Sequence, residues 1–314
     1  MRQKRFINPH IKNLRRSLWD AVLWKLGYYD DLNPNIAPPD NFIYPASAST
    51  FDQAKPHAIW IGHSTYLIEV DGLTILTDPI WNDFCSPVPI QMLRRCSEPP
   101  ISLADLPQID IVLISHNHYD HLDAKTVSVL NCLHPQIEWI VPESLSPWFH
   151  KRNIHATTEI SWWKTHTTKN CAITAVPTQH FSGRTLWDKN KTHWNGYVLE
   201  KAGKRVYFTG DTGYNPVDFK AIGEKFNHMD LSLIPIGVYV PNKFMQPVHI
   251  NPFEAVQIHE EVNSRLSLGM HWKTFRLSEE HLDRPPYDLY LAMKEKQLPF
   301  ESFLPVDIGT YVNF

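Results

Sequence analysis

The chain has 314 residues, 43% hydrophobic and 20% charged, an ordinary globular composition with room for one large domain or two modest ones. A formal net charge of −3 gives no basic field for nucleic acid, and no run approaches the ~18 apolar residues that span a bilayer. The four cysteines (Cys85, Cys96, Cys132, Cys171) form no C-x-x-C pair and suggest no disulfide framework, and the N-terminus lacks a signal-peptide core, so the default compartment is the cytoplasm.

In chain order, residues 1–30 read as a basic arm followed by a helix. Arg2, Lys4, Arg5, Lys12, Arg15 and Arg16 precede the first acidic residue, Asp20, and Leu14, Leu18, Ala21, Val22 and Leu26 recur at helical spacing. Such a stripe either packs on the domain or lies at an anionic membrane surface. Residues 31–50, rich in Pro, Asn and Ser, make a linker or wrapped loop. The division is therefore 1–50 as helix and linker around a core, and 51–314 as the catalytic domain.

From about residue 57, short apolar strands follow one another: Ile59 to Val70, Leu73 to Thr77, Ile109 to Ile114, Glu138 to Val141, Ala172 to Val176, Gly196 to Lys201, Arg205 to Thr209, Leu231 to Ile236 and Leu266 to Met270. The clearest helix starts at Asn251 as N-cap, with Pro252 in the first helical position, Glu254 three residues on, and Phe253, Val256 and Ile258 as apolar content. A second helix follows residue 121, with Val127, Leu130 and Leu133 on one side. Without regular βαβ alternation, this α/β pattern suits two sheets packed face to face with helices outside.

The buried strand Ile109 to Ile114 runs into Ser115 and His116, and His116, His118, Asp120 and His121 place four metal-capable groups in six residues. His116 and His118 can point together from one extended turn, with Asp120 and His121 at the start of the following helix. Such groups are seldom buried without partners, so the run reads as a metal site on a rigid strand end. Three further strands end the same way: Ala172–Val176 in Pro177-Thr178-Gln179-His180, Val206–Thr209 in Gly210-Asp211, and Ser267–Met270 in His271. Nitrogen and oxygen ligands with open positions suit zinc, with iron or manganese as alternatives. Trp162, Trp163, Trp187, Trp194 and Trp272, with Phe181 and Phe244, read either as an apolar rim around the site or as core. Tyr119 and Tyr214 read as packed aromatics or substrate contacts.

The stretch from His63 to His271 resembles the metallo-β-lactamase superfamily, and most closely the N-acyl-phosphatidylethanolamine-hydrolysing phospholipases D and their bacterial relatives. The resemblance rests on Gly62-His63, Leu76-Thr77-Asp78-Pro79-Ile80, Ile114-Ser115-His116-Asn117-His118-Tyr119-Asp120-His121-Leu122-Asp123, Gly210-Asp211-Thr212-Gly213-Tyr214, Ile234-Pro235-Ile236-Gly237, and His271-Trp272 with Thr274-Phe275. It implies an αββα four-layer sandwich. It also implies two zinc ions, one on His116, His118 and His180, the other on Asp120, His121 and His271, with Asp211 bridging them. His249 matches a family histidine beside the metals that orients phosphate or assists the leaving alkoxide, and His63 and Asp78 fall to outer groups that position the loops. The implied reaction is hydrolysis of an N-acylated phosphatidylethanolamine by a hydroxide shared between the metals, with Asp120 and His249 as catalytic residues. The alternative is a metal-dependent lactonase or phosphoesterase acting on a soluble small molecule. A phospholipid or other small-molecule ester is thus the expected partner, with peripheral membrane contact through residues 1–30 and no nucleic acid.

Overall fold

A computed structural model describes residues 5–11, 36–185 and 187–314. Alternation of apolar side chains between two buried faces builds its strands: β1 (His57–Gly62) sends Ala58 and Trp60 to the core between the sheets, and Ile59 and Ile61 to the opposite face. β2 (Thr65–Val70) and β3 (Leu73–Thr77) continue antiparallel, and β4 (Ile111–Leu113), β5 (Glu138–Pro142) and β6 (Thr157–Ile160) add in parallel. The second sheet contains β7 (Thr165–Thr168), β8 (Cys171–Val176), β9 (Gly196–Lys201), β10 (Lys204–Phe208), β11 (Leu231–Pro235), β12 (Ser267–Met270) and β13 (Phe303–Leu304). β14 (Tyr311–Asn313) returns to pair with β1. The strand orders are β14-β1-β2-β3-β4-β5-β6 and β13-β12-β11-β10-β9-β8-β7.

Helices cover the outer faces. Against the first sheet lies α1 (Ala124–Leu133), whose Val127 and Leu130 are fully buried with Val112, Trp139 and Val141, each such burial worth ~1.5–3 kcal/mol. Asp123 caps this helix by accepting the Thr126 amide at 3.0 Å. α2 (Ser146–His150) adds Phe149 to that layer. Phe219 and Ile222 of α3 (Asp218–Phe226) join the core of the second sheet. After the short α4 (Asn242–Met245), α5 (Pro252–Glu261) carries a complete capping box between Asn251 and Glu254 and buries Ala255, Val256 and Ile258. α6 (Pro285–Lys296) packs along α5. Four layers result, helix–sheet–sheet–helix.

Several expectations are corrected. The run Ile59 to Val70 is a hairpin rather than one strand, because Gly62 and His63 adopt φ of +130° and +52° and turn the chain. Asp120 and His121 lie in a turn before α1, closed by the Leu122 amide donating to His118 O at 2.9 Å. Leu133 is 46% exposed and Phe253 41% exposed, so neither belongs to its helix's buried face. The expected amphipathic helix, with Leu14 through Leu26, falls outside the described residues, while residues 5–11 form neither helix nor strand. Residues 36–50 contain no helix or strand and rest on the body, with Phe42 against Tyr287 and the Tyr44 hydroxyl donating to Phe303 O at 2.8 Å. Among the described residues no helix is long and apolar enough to cross a membrane.

Candidate metal centre

The carboxyl ends of β4, β8, β10 and β12 converge at one end of the sandwich and deliver His116, His180, Asp211 and His271 to a single crevice, where open sheets commonly bind ligands. Gly210 makes the close approach possible. At φ +60°, a Cβ there would lie 2.7 Å from the Ser115 Cβ. Three residues of the centre, His63, Asp78 and His271, sit in left-handed backbone at φ of +52°, +31° and +63°.

Two clusters form. In the first, His116 Nε2 lies 2.8 Å and His180 Nε2 3.2 Å from His118 Nδ1. Their outer nitrogens fix the tautomers. Val248 O can only accept, so the proton of His180 sits on Nδ1, 2.9 Å away, and Nε2 carries a lone pair. Ser115 Oγ donates to Asp78 Oδ2 at 2.5 Å and therefore accepts from His116 Nδ1 at 2.8 Å, again leaving Nε2 bare. Burial pushes His116 and His180 well below the ordinary histidine value and His118 to about 4, so all three are neutral near pH 7.

The second cluster comprises His63, Asp120, His121 and His271. His121 Nδ1 donates to Asp78 Oδ2 at 2.7 Å, turning Nε2 to within 3.4 Å of Asp120 Oδ2 and 3.3 Å of His271 Nε2. Asp211 Oδ2 stands between the clusters, 3.2 Å from His121, 3.1 Å from His271 and 3.8 Å from His180. Its second oxygen, Oδ1, is buried without a hydrogen-bond partner.

Burial alone would raise both carboxyls, yet His121 and His271 hold Asp120 and Asp211 well below the usual range. Reciprocally, burial would lower His121 and His271, but Asp211 and Asp120 push His121 well up and His271 to about 9. The buried carboxylates thus demand positive charge, which protons on two histidines supply in the bare chain. A cation suits this donor set better. It would take the converging lone pairs of His116, His118 and His180, the lone Asp211 Oδ1, and the nitrogens that otherwise hold protons against like charge. The residues present fit a metal centre.

All seven residues proposed from sequence as ligands therefore come together. His249 joins them, its Nδ1 3.9 Å from Asp211 Oδ2 and its side chain 13% exposed. His63, expected to be an outer group that positions the loops, reaches Asp120 Oδ2 with its Nε2 at 3.1 Å. Two further supports went unread. Ser115 links Asp78 to His116, and Arg184 donates from Nη1 to Asn117 O (3.0 Å) and Leu122 O (2.7 Å) while its guanidinium lies 3.9 Å above the Tyr119 ring. Ser115 was visible as the residue between strand and ligand run; nothing local marked Arg184.

The aromatic rim is only partly present. Trp194 and Trp272 are buried, the latter stacked 5.3 Å from Trp60, whereas Phe181 packs on His118 at 4.5 Å and Trp187 is 78% exposed. Tyr214 is a packed residue, stacked on Phe219 with its hydroxyl donating to Glu261 Oε1 at 2.7 Å. Among the described residues all four cysteines are free.

Comparison with known proteins gives a consistent result. Residues 74–272 match the beta-lactamase superfamily domain. Over 263 residues, 80% of this chain and 74% of the relative, the sequence is 39% identical to N-acyl-phosphatidylethanolamine-hydrolyzing phospholipase D 1 of Caenorhabditis elegans. It is 36% identical over 232 residues, 72% of this chain and 49% of the relative, to the mitochondrial N-acyl-phosphatidylethanolamine-hydrolyzing phospholipase D of Saccharomyces cerevisiae. A solved metallo hydrolase from Ignicoccus hospitalis shares the fold at a TM-score of 0.60 and 20% identity, covering 83% of this chain and 98% of that one.

Proposed function

The chain belongs to the beta-lactamase superfamily as a metal-dependent hydrolase of the metallo-β-lactamase fold, and from that premise we propose that it is a zinc-dependent phosphodiesterase cleaving N-acyl-phosphatidylethanolamine-like phospholipids. What carries the substrate class is the 39% identity to a relative named for that reaction, extending through the region that supplies the crevice.

Five imidazoles and two carboxylates suit zinc, with iron or manganese the nearest competitors. His116, His118 and His180 would hold one ion; Asp120, His121 and His271 the other; Asp211 both. Bound there, the ions would supply Lewis acidity, meaning a nucleophile at neutral pH and compensation for charge building on the phosphate oxygens. Asp120, anchored by His63 and 16% exposed, accepts a hydrogen bond from the attacking water and aims it at phosphorus. His249 reaches solvent beside Asp211, placed to hand a proton to the departing alkoxide. The basic side chains within residues 1–30 favour peripheral contact with an anionic bilayer, the setting a phospholipid substrate requires.

Purified protein supplied with N-acyl-phosphatidylethanolamine in vesicles should release phosphatidate and N-acylethanolamine, and stop when metal is chelated. Turnover of soluble lactones or phosphoesters with none of the lipid would replace this substrate with the soluble-ester alternative.

A further inference from the structure

Six residues near the N-terminus, 5–10, lie beside the metal centre, although more than 170 positions separate them from the loop they touch. Residues 5–9 alternate: Phe6 is buried and Ile7 76% exposed, as in a strand laid on a surface. The Phe6 amide donates to Asn190 O at 2.8 Å, and Asn190 Nδ2 donates back to Phe6 O at 3.1 Å. Arg5 Nη1 donates to Lys189 O at 2.7 Å, and His10 Nε2 meets Asp218 Oδ1 at 3.2 Å. The Phe6 ring stands edge-on to His193 at 4.4 Å, and His193 stacks on buried Trp194.

The contact that bears on chemistry is Asn8 Nδ2 donating to His180 O at 2.6 Å. The chain entering His180 is held at Gln179, whose amide donates to Thr212 Oγ1 at 2.9 Å and whose carbonyl accepts the Gly213 amide at 2.8 Å, and the ring is held through Nδ1 to Val248 O. Nothing in a ring contact fixes the peptide that follows, from which the loop to Asn190 departs. Asn8 supplies that second point, and Asn190 ties the same arm to Ser182, whose carbonyl accepts the Asn190 amide at 2.8 Å. Two fixed points, carbonyl and Nδ1, set the direction in which Nε2 faces His118.

We propose that residues 5–10 form a strap belonging to the metal centre, with Asn8 the positioning residue for His180 and Phe6 the anchor that delivers Asn8. The inference rests on the assignment of His180 as a ligand. It gives the N-terminal arm a role distinct from membrane contact: it completes the geometry of the three-histidine cluster.

Zinc affinity by chelator competition and the visible absorption of the cobalt(II)-substituted protein test it, in Asn8→Ala, Asn8→Asp and Phe6→Ala, with His180→Ala as reference. Groups that orient a ligand cost about 10–100-fold in metal affinity when removed. Both Asn8 variants are expected to weaken binding by ~10-fold or more within that range and to shift the cobalt absorption. Phe6→Ala should match them, and the Phe6→Ala/Asn8→Ala double variant should lose no more than either single one. If the Asn8 variants only lower the melting temperature, with affinity and spectrum unmoved beside a clear loss in His180→Ala, the strap is merely structural and the proposal is overturned while the ligand assignment stands. If His180→Ala itself binds metal normally, the assignment falls and the proposal with it.

Discussion

Asp78 accepts the Nδ1 proton of His121 at 2.7 Å, and this one bond turns the His121 Nε2 toward Asp211. Asp78 also takes the Ser115 amide at 2.7 Å, so a single carboxylate fixes both the β4 tip and the second cluster. Asp78→Asn would keep the shape but lose the charge that favours the Nδ1–H tautomer. Zinc affinity should fall by about 10–100-fold with the fold retained. Chelator competition measures this, alongside circular dichroism as the check on folding.

Asp211 and His249 should separate binding from chemistry. Asp211→Ala removes the oxygen shared between the clusters, so bound metal should fall from two ions toward one and turnover should vanish. His249→Ala should keep both ions and lose rate by ~10²–10⁴-fold, the usual contribution of positioned proton transfer. Elemental analysis paired with steady-state kinetics distinguishes the two. Full activity with two metals in Asp211→Ala would remove the dinuclear assignment.

Metal binding should release protons. In the bare chain Asp211 and Asp120 push His121 upward and His271 to about 9, so both bind protons at pH 7 to 8. A metal must displace those protons, so apparent affinity should rise with pH through about 9, where His271 is half deprotonated. Calorimetric titration in two buffers of different ionisation enthalpy reads the protons directly. A heat independent of the buffer would contradict the electrostatics.

His259 gives a pH effect far from the metals. Burial against Phe303 and Ser267 lowers it from 6.5 to about 4, so between those values the unfolded chain binds a proton that the native chain does not. Its stabilising contribution is present above pH 6.5 and is lost as pH falls toward 4, a difference on the order of 3 kcal/mol. Denaturant unfolding of metal-free protein should show that decline in the wild type and a shallower one in His259→Gln.

The parts of the site legible in the sequence were those written locally. A buried apolar strand followed by His116, His118, Asp120 and His121 states its chemistry within a few residues, and the strand ends at His180, Asp211 and His271 repeat it. His63 was legible only as an outer group through the resemblance, because its place beside Asp120 depends on a left-handed turn inside what reads as one apolar run. β6 and β7 were missed because Thr157–Ile160 and Thr165–Thr168 are polar edge strands, and edges need not be apolar. Asn8 acts across 172 positions and Arg184 across 67 and 62, and they pair only once the sandwich has folded. The aromatic residues were ambiguous for a related reason: Trp272 and Trp187 look alike in sequence, yet one stacks in the core and the other stands in solvent.

The most direct test is a zinc titration of metal-stripped protein, with release of N-acylethanolamine from N-acyl-phosphatidylethanolamine followed in the same sample. Turnover should be absent at the start and reach its plateau at two equivalents per chain. Undiminished turnover by the stripped protein, or saturation of zinc binding with no lipid cleaved, would contradict the account.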